Sequence, residues 1–224
     1  MTMHYSGAAA SFPVALSAPR TSVFDDVVET AVFDRPTLVM DVSRVEKQYH
    51  ALKAGLGRAD IHYAVKANPA PEIIARLVAI GSHFDAASRG EIELVLSQGA
   101  NPADVSFGNT IKRAADIAYA YSVGVTLFAA DAIEELEKIA EHAPGAQVYI
   151  RLIVETSQAD WPLSRKFGCD PTMAVELLGR AKALGLDAVG FSFHVGSQTR
   201  QAAMWGPTLD EMAKIWDAAK AAGH

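Results

Sequence analysis

One lysine stands in an otherwise apolar stretch, Tyr63-Ala64-Val65-Lys66-Ala67-Asn68. On a strand, alternation puts Tyr63, Val65 and Ala67 on one face and Ala64, Lys66 and Asn68 on the other, so an ammonium projects from an apolar element. Poor solvation disfavours the charged form of a lysine, and the neutral amine that results is a nucleophile toward a carbonyl. An aldehyde cofactor suits that chemistry. A lysine near a strand end can equally snorkel to water, and spacing alone leaves both roles open.

These residues need elements to hold them, and from Ile61 onward strands and helices alternate. Strands are expected at 61–67, 83–88, 105–108, 125–130, 147–154 and 188–195. Helical periodicity fills the gaps, most clearly at Glu72 to Ala79, Glu91 to Gln98, Ala132 to Ala140, Thr172 to Leu184 and about Thr208 to Ala222. Upstream, Thr37-Leu38-Val39-Met40-Asp41 reads as a strand, followed by a helix running to Gly55. Repeated strand-helix units argue for a parallel α/β fold, and the pattern does not separate an open doubly wound sheet from a closed barrel. In a parallel barrel, functional groups gather at the C-terminal ends of strands. Lys66, Asp85, Arg151 and His194 all fall at or near such ends.

Several candidates have an ordinary structural reading as well. A histidine at a strand end, such as His194, is commonly a satisfied structural residue. Ser88 fits the N-cap of the helix that contains Glu91, a Ser-x-x-Glu capping box, which competes with a catalytic role for Glu91. Arg151 alone reads as a strand-end cation, Ser197 as a turn serine, and Lys112, Arg165 and Lys166 as solvated loop cations.

Composition narrows the field. A chain of 224 residues, half of them hydrophobic, can bury a substantial core. The net charge of −6 disfavours nucleic acid or an anionic membrane surface as partner. The single cysteine, Cys169, excludes an internal disulfide and fits a reducing compartment. Ala8 to Ala18 is alanine-rich, but no lysine or arginine precedes Arg20 and Pro13 interrupts the run, so it does not read as a secretory signal. No stretch approaches the roughly 18 apolar residues of a membrane span, and a cytoplasmic protein is expected. The seven histidines show no metal-ligand spacing.

Tyr63 to Asn68 resembles the lysine-bearing motif of the pyridoxal-phosphate enzymes built on an alanine-racemase-like barrel, the ornithine, lysine, arginine and diaminopimelate decarboxylases. The likeness continues in the family's order through His83-Phe84-Asp85-Ala86-Ala87-Ser88, Glu91, Phe107-Gly108-Asn109 with Lys112, and Arg151. It extends to Trp161-Pro162-Leu163-Ser164-Arg165-Lys166-Phe167-Gly168 and Ser192-Phe193-His194-Val195-Gly196-Ser197-Gln198. It covers nearly everything from about Arg35 onward, and the last two runs are most similar to bacterial members of the ornithine/lysine branch.

The resemblance implies an incomplete parallel (β/α)8 TIM-type barrel with about six of eight strands present and the C-terminal β-domain absent. Residues 1–35 would be a leader that packs on that β-domain, and residues 36–224 the partial barrel that binds pyridoxal 5'-phosphate. It implies that Lys66 holds the cofactor's aldehyde as a Schiff base, that Asp85 lies close to that nitrogen, and that His194 stacks on the pyridine ring. Ser197, beside Gly196, matches a phosphate contact, and Glu91 and Arg151 match active-site positions. Lys66, His194, Asp85 and Glu91 are therefore candidate catalytic residues; Lys66, Asp85, Arg151, His194 and Ser197 are candidate cofactor ligands. The lysine of the Lys166-Phe167-Gly168 turn would pair across a homodimer interface. Cys169 is not the family's reactive cysteine, which lies in the C-terminal half and comes from the partner subunit.

The activity implied is decarboxylation of a basic amino-acid substrate, L-ornithine to putrescine and carbon dioxide in polyamine biosynthesis. The family's acidic partner of the pyridine nitrogen, its glycine-rich phosphate loop and its substrate-selecting residues have no counterpart in these 224 residues. The chain by itself is expected to bind the cofactor poorly and to turn over nothing. A non-catalytic pyridoxal-phosphate-binding homologue, a pseudoenzyme that binds a partner protein, a lysine or diaminopimelate decarboxylase and an amino-acid racemase stay open. Eight strands would favour the first of these.

Overall fold

The computed structural model describes residues 23–154, 166–196, 203 and 205–224, and the chain divides into two compact units, residues 1–41 and 42–224. In the first unit, α1 (Val23–Thr30) is followed by irregular chain. The strand expected at Thr37 to Asp41 does not form. A strand needs a neighbour to share its hydrogen bonds; among the described residues no strand pairs with this segment, and Leu38 stays 82% exposed.

In the second unit, α2 (Val42–Leu56) precedes six strand-helix units. These are β1 (His62–Ala64) and α3 (Pro71–Ala79), β2 (His83–Ala86) and α4 (Arg89–Ser97), β3 (Val105–Phe107) and α5 (Ala114–Ser122). They continue with β4 (Leu127–Ala130) and α6 (Ile133–His142), β5 (Gln147–Leu152) and α7 (Pro171–Ala183), β6 (Asp187–Phe193) and α8 (Trp205–Ala221). The strands form one sheet in the order β1-β2-β3-β4-β5-β6, every adjacent pair parallel. That order answers what periodicity left open. A doubly wound sheet reverses direction at a switch point, whereas each strand here is added to the same edge, as in a (β/α)8 barrel of which six strands are described.

Local chemistry sets the helix starts. Pro71 and Pro171 occupy first-turn positions, where a missing N–H costs no hydrogen bond. The Asp170 carboxylate accepts from the N–H groups of Thr172 (2.9 Å) and Met173 (3.0 Å), and Ser88 Oγ accepts from the Glu91 N–H at 3.3 Å. The core lies between sheet and helices. Alternation in β2 and β5 buries Phe84, Ala86, Val148, Ile150 and Leu152 on that side and turns Asp85, Tyr149 and Arg151 to the inner face. Phe107 and Phe128, paired in register, meet at 6.3 Å between ring centroids, and each fully buried ring contributes about 2–3 kcal/mol.

Two staples act at the C-terminal ends of the strands. In the first, residues 166–169 return beside β5. The Ile153 N–H donates to the Cys169 carbonyl and the Cys169 N–H to the Arg151 carbonyl, both at 2.9 Å, and the Gly168 N–H donates to Asp131 Oδ2 at 2.8 Å. Gly168 has φ +103°, and a Cβ there would lie 2.8 Å from Ile153 N and the Leu152 carbonyl carbon, so only glycine fits.

The second staple corrects the reading of Lys112 as a solvated loop cation. Its side chain is 0% exposed, and Nζ donates to the carbonyls of Ala129 (2.6 Å) and Asn109 (2.9 Å) while pairing with Glu135 Oε1 at 2.9 Å. Glu135 also accepts from the Lys112 N–H at 3.2 Å and pairs with Lys138 at 2.6 Å. The loop after β3 is thereby tied to β4 and to the first turn of α6. Sequence periodicity cannot reveal this, because the partners come from three separate segments.

Two stability predictions follow from the staples. Gly168→Ala should cost about 1–3 kcal/mol in denaturant unfolding, since both the backbone conformation and the close approach forbid a methyl group; an unchanged midpoint would contradict this. Burial pushes the pKa of Lys112 from 10.5 down to about 8. Between those values the unfolded chain holds the proton more tightly, so this group makes stability rise with pH through that window. Lys112→Met should cost about 3 kcal/mol at neutral pH by stripping Glu135 of one buried partner. Its stability deficit should widen as pH rises from 8 to 10.5, and a deficit that narrows would reverse the sign.

Candidate active site

The inner face of the sheet carries a cavity of about 420 Å³ whose lining includes His62, Lys66, Asp85, Ser106, Gly108, Tyr149, Arg151 and His194. Strand register explains the grouping. Ala64 of β1 pairs with Asp85 of β2, and Asp85 with Ser106 of β3, so the three side chains share the inner face. Arg151 is one alternation beyond Tyr149 on β5.

Lys66 departs from its expected setting. Pairing in β1 stops at Ala64, and Val65–Ala67 forms a 3-10 turn instead of continuing the strand. The turn is closed by the Tyr63 hydroxyl donating to the Asn68 carbonyl (3.1 Å) and by Asn68 Oδ1 accepting from the Ala70 N–H (3.0 Å). Val65 is buried, while Lys66 is exposed at the cavity. The premise of an amine enclosed by apolar neighbours is therefore not met, because the turn carries Lys66 past the last apolar layer. Its ammonium acts electrostatically on both Asp85 and His194, which places the three groups around one space.

Burial raises the pKa of Asp85; a Ser106 hydrogen bond and the charges of Lys66 and His62 pull it back down, and Glu91 adds to the rise. Gly108 packs against this carboxylate so closely that a Cβ would lie 1.8 Å from Asp85 Oδ1. The Gly108 N–H donates to the Ala86 carbonyl at 2.9 Å, continuing the β2–β3 ladder to the site.

His194 follows β6. Its Nδ1 accepts the Gly196 N–H at 2.9 Å, which fixes the ring and leaves the proton of a neutral imidazole on Nε2. Partial burial lowers its pKa, and the positive charges of Arg151 and Lys66 lower it further. Neutral pH therefore leaves an uncharged planar ring here. The Arg151 guanidinium lies 5.5 Å from the centre of the Phe167 ring, so the strap at 166–169 buttresses it.

Glu91 is engaged elsewhere. Its carboxylate accepts the Ala87 N–H at 2.6 Å while its own N–H is capped by Ser88. It does not line the cavity, and it acts there by holding the turn between β2 and α4. Ser197 and residues Trp161 to Arg165 lie outside the described residues. Sequence reasoning passed over His62, Ser106 and Tyr149. All three occupy inward positions of barrel strands, where polar residues are unusual, and that alternation was the available signal.

The donor set suits pyridoxal phosphate. A primary amine can hold the aldehyde, a carboxylate stands beside it, a neutral imidazole offers a flat face, and a guanidinium adds positive charge, all around one cavity of suitable size.

Comparisons with known proteins agree with this geometry. The family model described as pyridoxal-dependent decarboxylase, pyridoxal binding domain, matches residues 42–224. The lysine/ornithine decarboxylase of Selenomonas ruminantium is 37% identical over 188 residues, covering 84% of this chain and 48% of that protein. Among solved structures, a mutant of SrLDC in complex with PLP gives a TM-score of 0.85 at 35% identity, covering 91% of this chain and 53% of that one. The lysine/ornithine decarboxylase of Vibrio vulnificus, complexed with putrescine, gives 0.78 at 33% identity, covering 89% and 52%. The chain thus spans about half the length of the curated relatives it matches. With six sequential parallel strands and the cavity described above, it belongs to the pyridoxal-dependent decarboxylase family, and residues 42–224 match that family's pyridoxal binding domain.

Proposed function

We propose that this chain is the cofactor-holding part of a decarboxylase for basic amino acids, acting first on L-ornithine to give putrescine and carbon dioxide in polyamine synthesis. One observation carries the reading: Lys66, Asp85, Arg151 and His194, from four separate strand ends, line a single cavity. When bound, pyridoxal phosphate supplies the electron sink that accepts the pair left on the α-carbon as the carboxylate departs.

In this reading the chain's own residues bind and orient. Lys66 provides the amine that tethers the aldehyde. Asp85, whose anion responds to the Lys66 charge, keeps a proton on the nitrogen that Lys66 contributes. His194, fixed through Gly196 and uncharged at neutral pH, presents its ring face to the cofactor plane. Arg151 offers charge to an anionic group, and Ser197 a hydroxyl to the phosphate. Glu91 serves by holding the β2–α4 turn.

The choice of ornithine is supported by names such as the ornithine decarboxylase of Schizosaccharomyces pombe, 32% identical over 201 residues, and by the putrescine held in the Vibrio vulnificus structure. Lysine is the second substrate reading, favoured by the Selenomonas ruminantium relative. We further propose a cytoplasmic homodimer in which Lys166 pairs across the interface and residues 1–35 pack on a downstream β-domain. Among the described residues no helix is long and apolar enough to cross a membrane.

The test is release of labelled carbon dioxide from carboxyl-labelled L-ornithine, L-lysine and L-arginine with added pyridoxal phosphate. The full gene product should release it fastest from ornithine, His194→Ala should lower kcat at least tenfold, and the 224-residue chain alone should release none. Faster release from lysine would reassign the substrate, and release from none of the three by the full product would sink the activity.

A further inference from the structure

Barrel interiors are usually filled by branched aliphatic side chains, yet two inward positions beside Asp85 carry hydroxyls. Ser106 is 4% exposed, and its Oγ lies 3.2 Å from Asp85 Oδ1 and 3.3 Å from the Phe84 carbonyl oxygen. A hydroxyl has one proton to give, and the charged acceptor makes the stronger bond. Gly108, two residues on, has a backbone close enough that a methyl group there would collide with Oδ1. Oδ1 is thus boxed between a hydroxyl and a backbone wall, and Oδ2 takes no hydrogen bond among the described residues.

Tyr149 lines the same cavity, where burial and the negative charge of Asp85 both keep its phenol protonated while the Ser106 hydroxyl acts the other way.

We propose that Ser106 is a positioning residue that fixes the Asp85 carboxylate and stabilises its anion, so that Oδ2 is presented to the cofactor. Burying a hydroxyl and a carboxylate together is costly unless each satisfies the other, and Ser106 Oγ and Asp85 Oδ1 do so at 3.2 Å. Lys66 from the turn after β1 and His62 from β1 also favour the anion, while Glu91 from α4 opposes it. Ser106 differs from these as the neighbour in hydrogen-bond contact, so it sets orientation as well as charge. The functional half of this proposal rests on the reading that Asp85 faces pyridoxal phosphate.

The test compares Ser106→Ala, Ser106→Thr and Asp85→Asn in the full gene product. The carboxyl band of Asp85 is followed against pH by infrared difference spectroscopy without cofactor, and pyridoxal phosphate affinity by absorbance titration. Ser106→Ala should raise the Asp85 midpoint by about one pH unit. Ser106→Thr, which keeps the hydroxyl, should restore it. Ser106→Ala should weaken cofactor binding in the wild-type background and have no further effect in Asp85→Asn. An unmoved midpoint in Ser106→Ala, or equal shifts in the alanine and threonine variants, would overturn the proposal. If the midpoint moves but Asp85→Asn binds pyridoxal phosphate as the wild type does, the proposal falls through the reading of Asp85 on which it rests, with the hydroxyl contact intact.

Discussion

A carboxylate on the inner face of a parallel sheet can remain only if donors and positive charges surround it. Asp85 is that group in this protein. Its setting depends on register: β1, β2 and β3 pair so that Ala64, Asp85 and Ser106 lie in one row. The turn that begins one residue after Ala64 carries Lys66 over the same row. A slip of one residue in β2 would exchange Asp85 for Phe84 or Ala86 and send the carboxylate into the apolar core. The apolar alternation that builds the core therefore also delivers the acid to the cavity.

Around this row the strand ends are held by contacts that sequence distance conceals. The Lys112 ammonium ties the loop carrying Gly108 to β4 and α6, and Gly108 in turn walls Asp85. Asp131, just past β4, receives the Gly168 N–H, and the strap of which Gly168 is part lays Phe167 against Arg151. The buried Lys112–Glu135 pair is costly to desolvate and offers little net stability compared with an apolar replacement of both partners, although removal of one partner alone is destabilising. The value of these contacts is positional, since they set loops that precede the helices and carry the residues of the site.

Much of this was legible in the chain. The 2.0 and 3.6 periodicities located six strands and most of the helices because each element buries one face, and burial is what writes a period into sequence. The resemblance carried the barrel and the cofactor. Three features were not legible. Thr37 to Asp41 has the apolar run of a strand but no pairing strand among the described residues, and pairing is a tertiary fact. The lysine run continues the alternation of β1 through Ala67, yet the chain turns after Ala64 because Tyr63 and Asn68 close the loop through side-chain hydrogen bonds. Lys112 reads as a loop cation, and only the convergence of Ala129, Asn109 and Glu135 makes it internal. The capping box at Ser88 and Glu91 was readable, and the carboxylate extends it by one residue to the Ala87 N–H.

Cofactor binding by this protein depends on which amine holds the aldehyde. Loading the full gene product with pyridoxal phosphate, reducing it with borohydride and mapping the modified peptides by mass spectrometry asks that directly. The pyridoxyl group should be found on Lys66, at close to one per chain. Label on Lys112 or Lys166 in place of Lys66, or label scattered among surface lysines at the same yield, would contradict it.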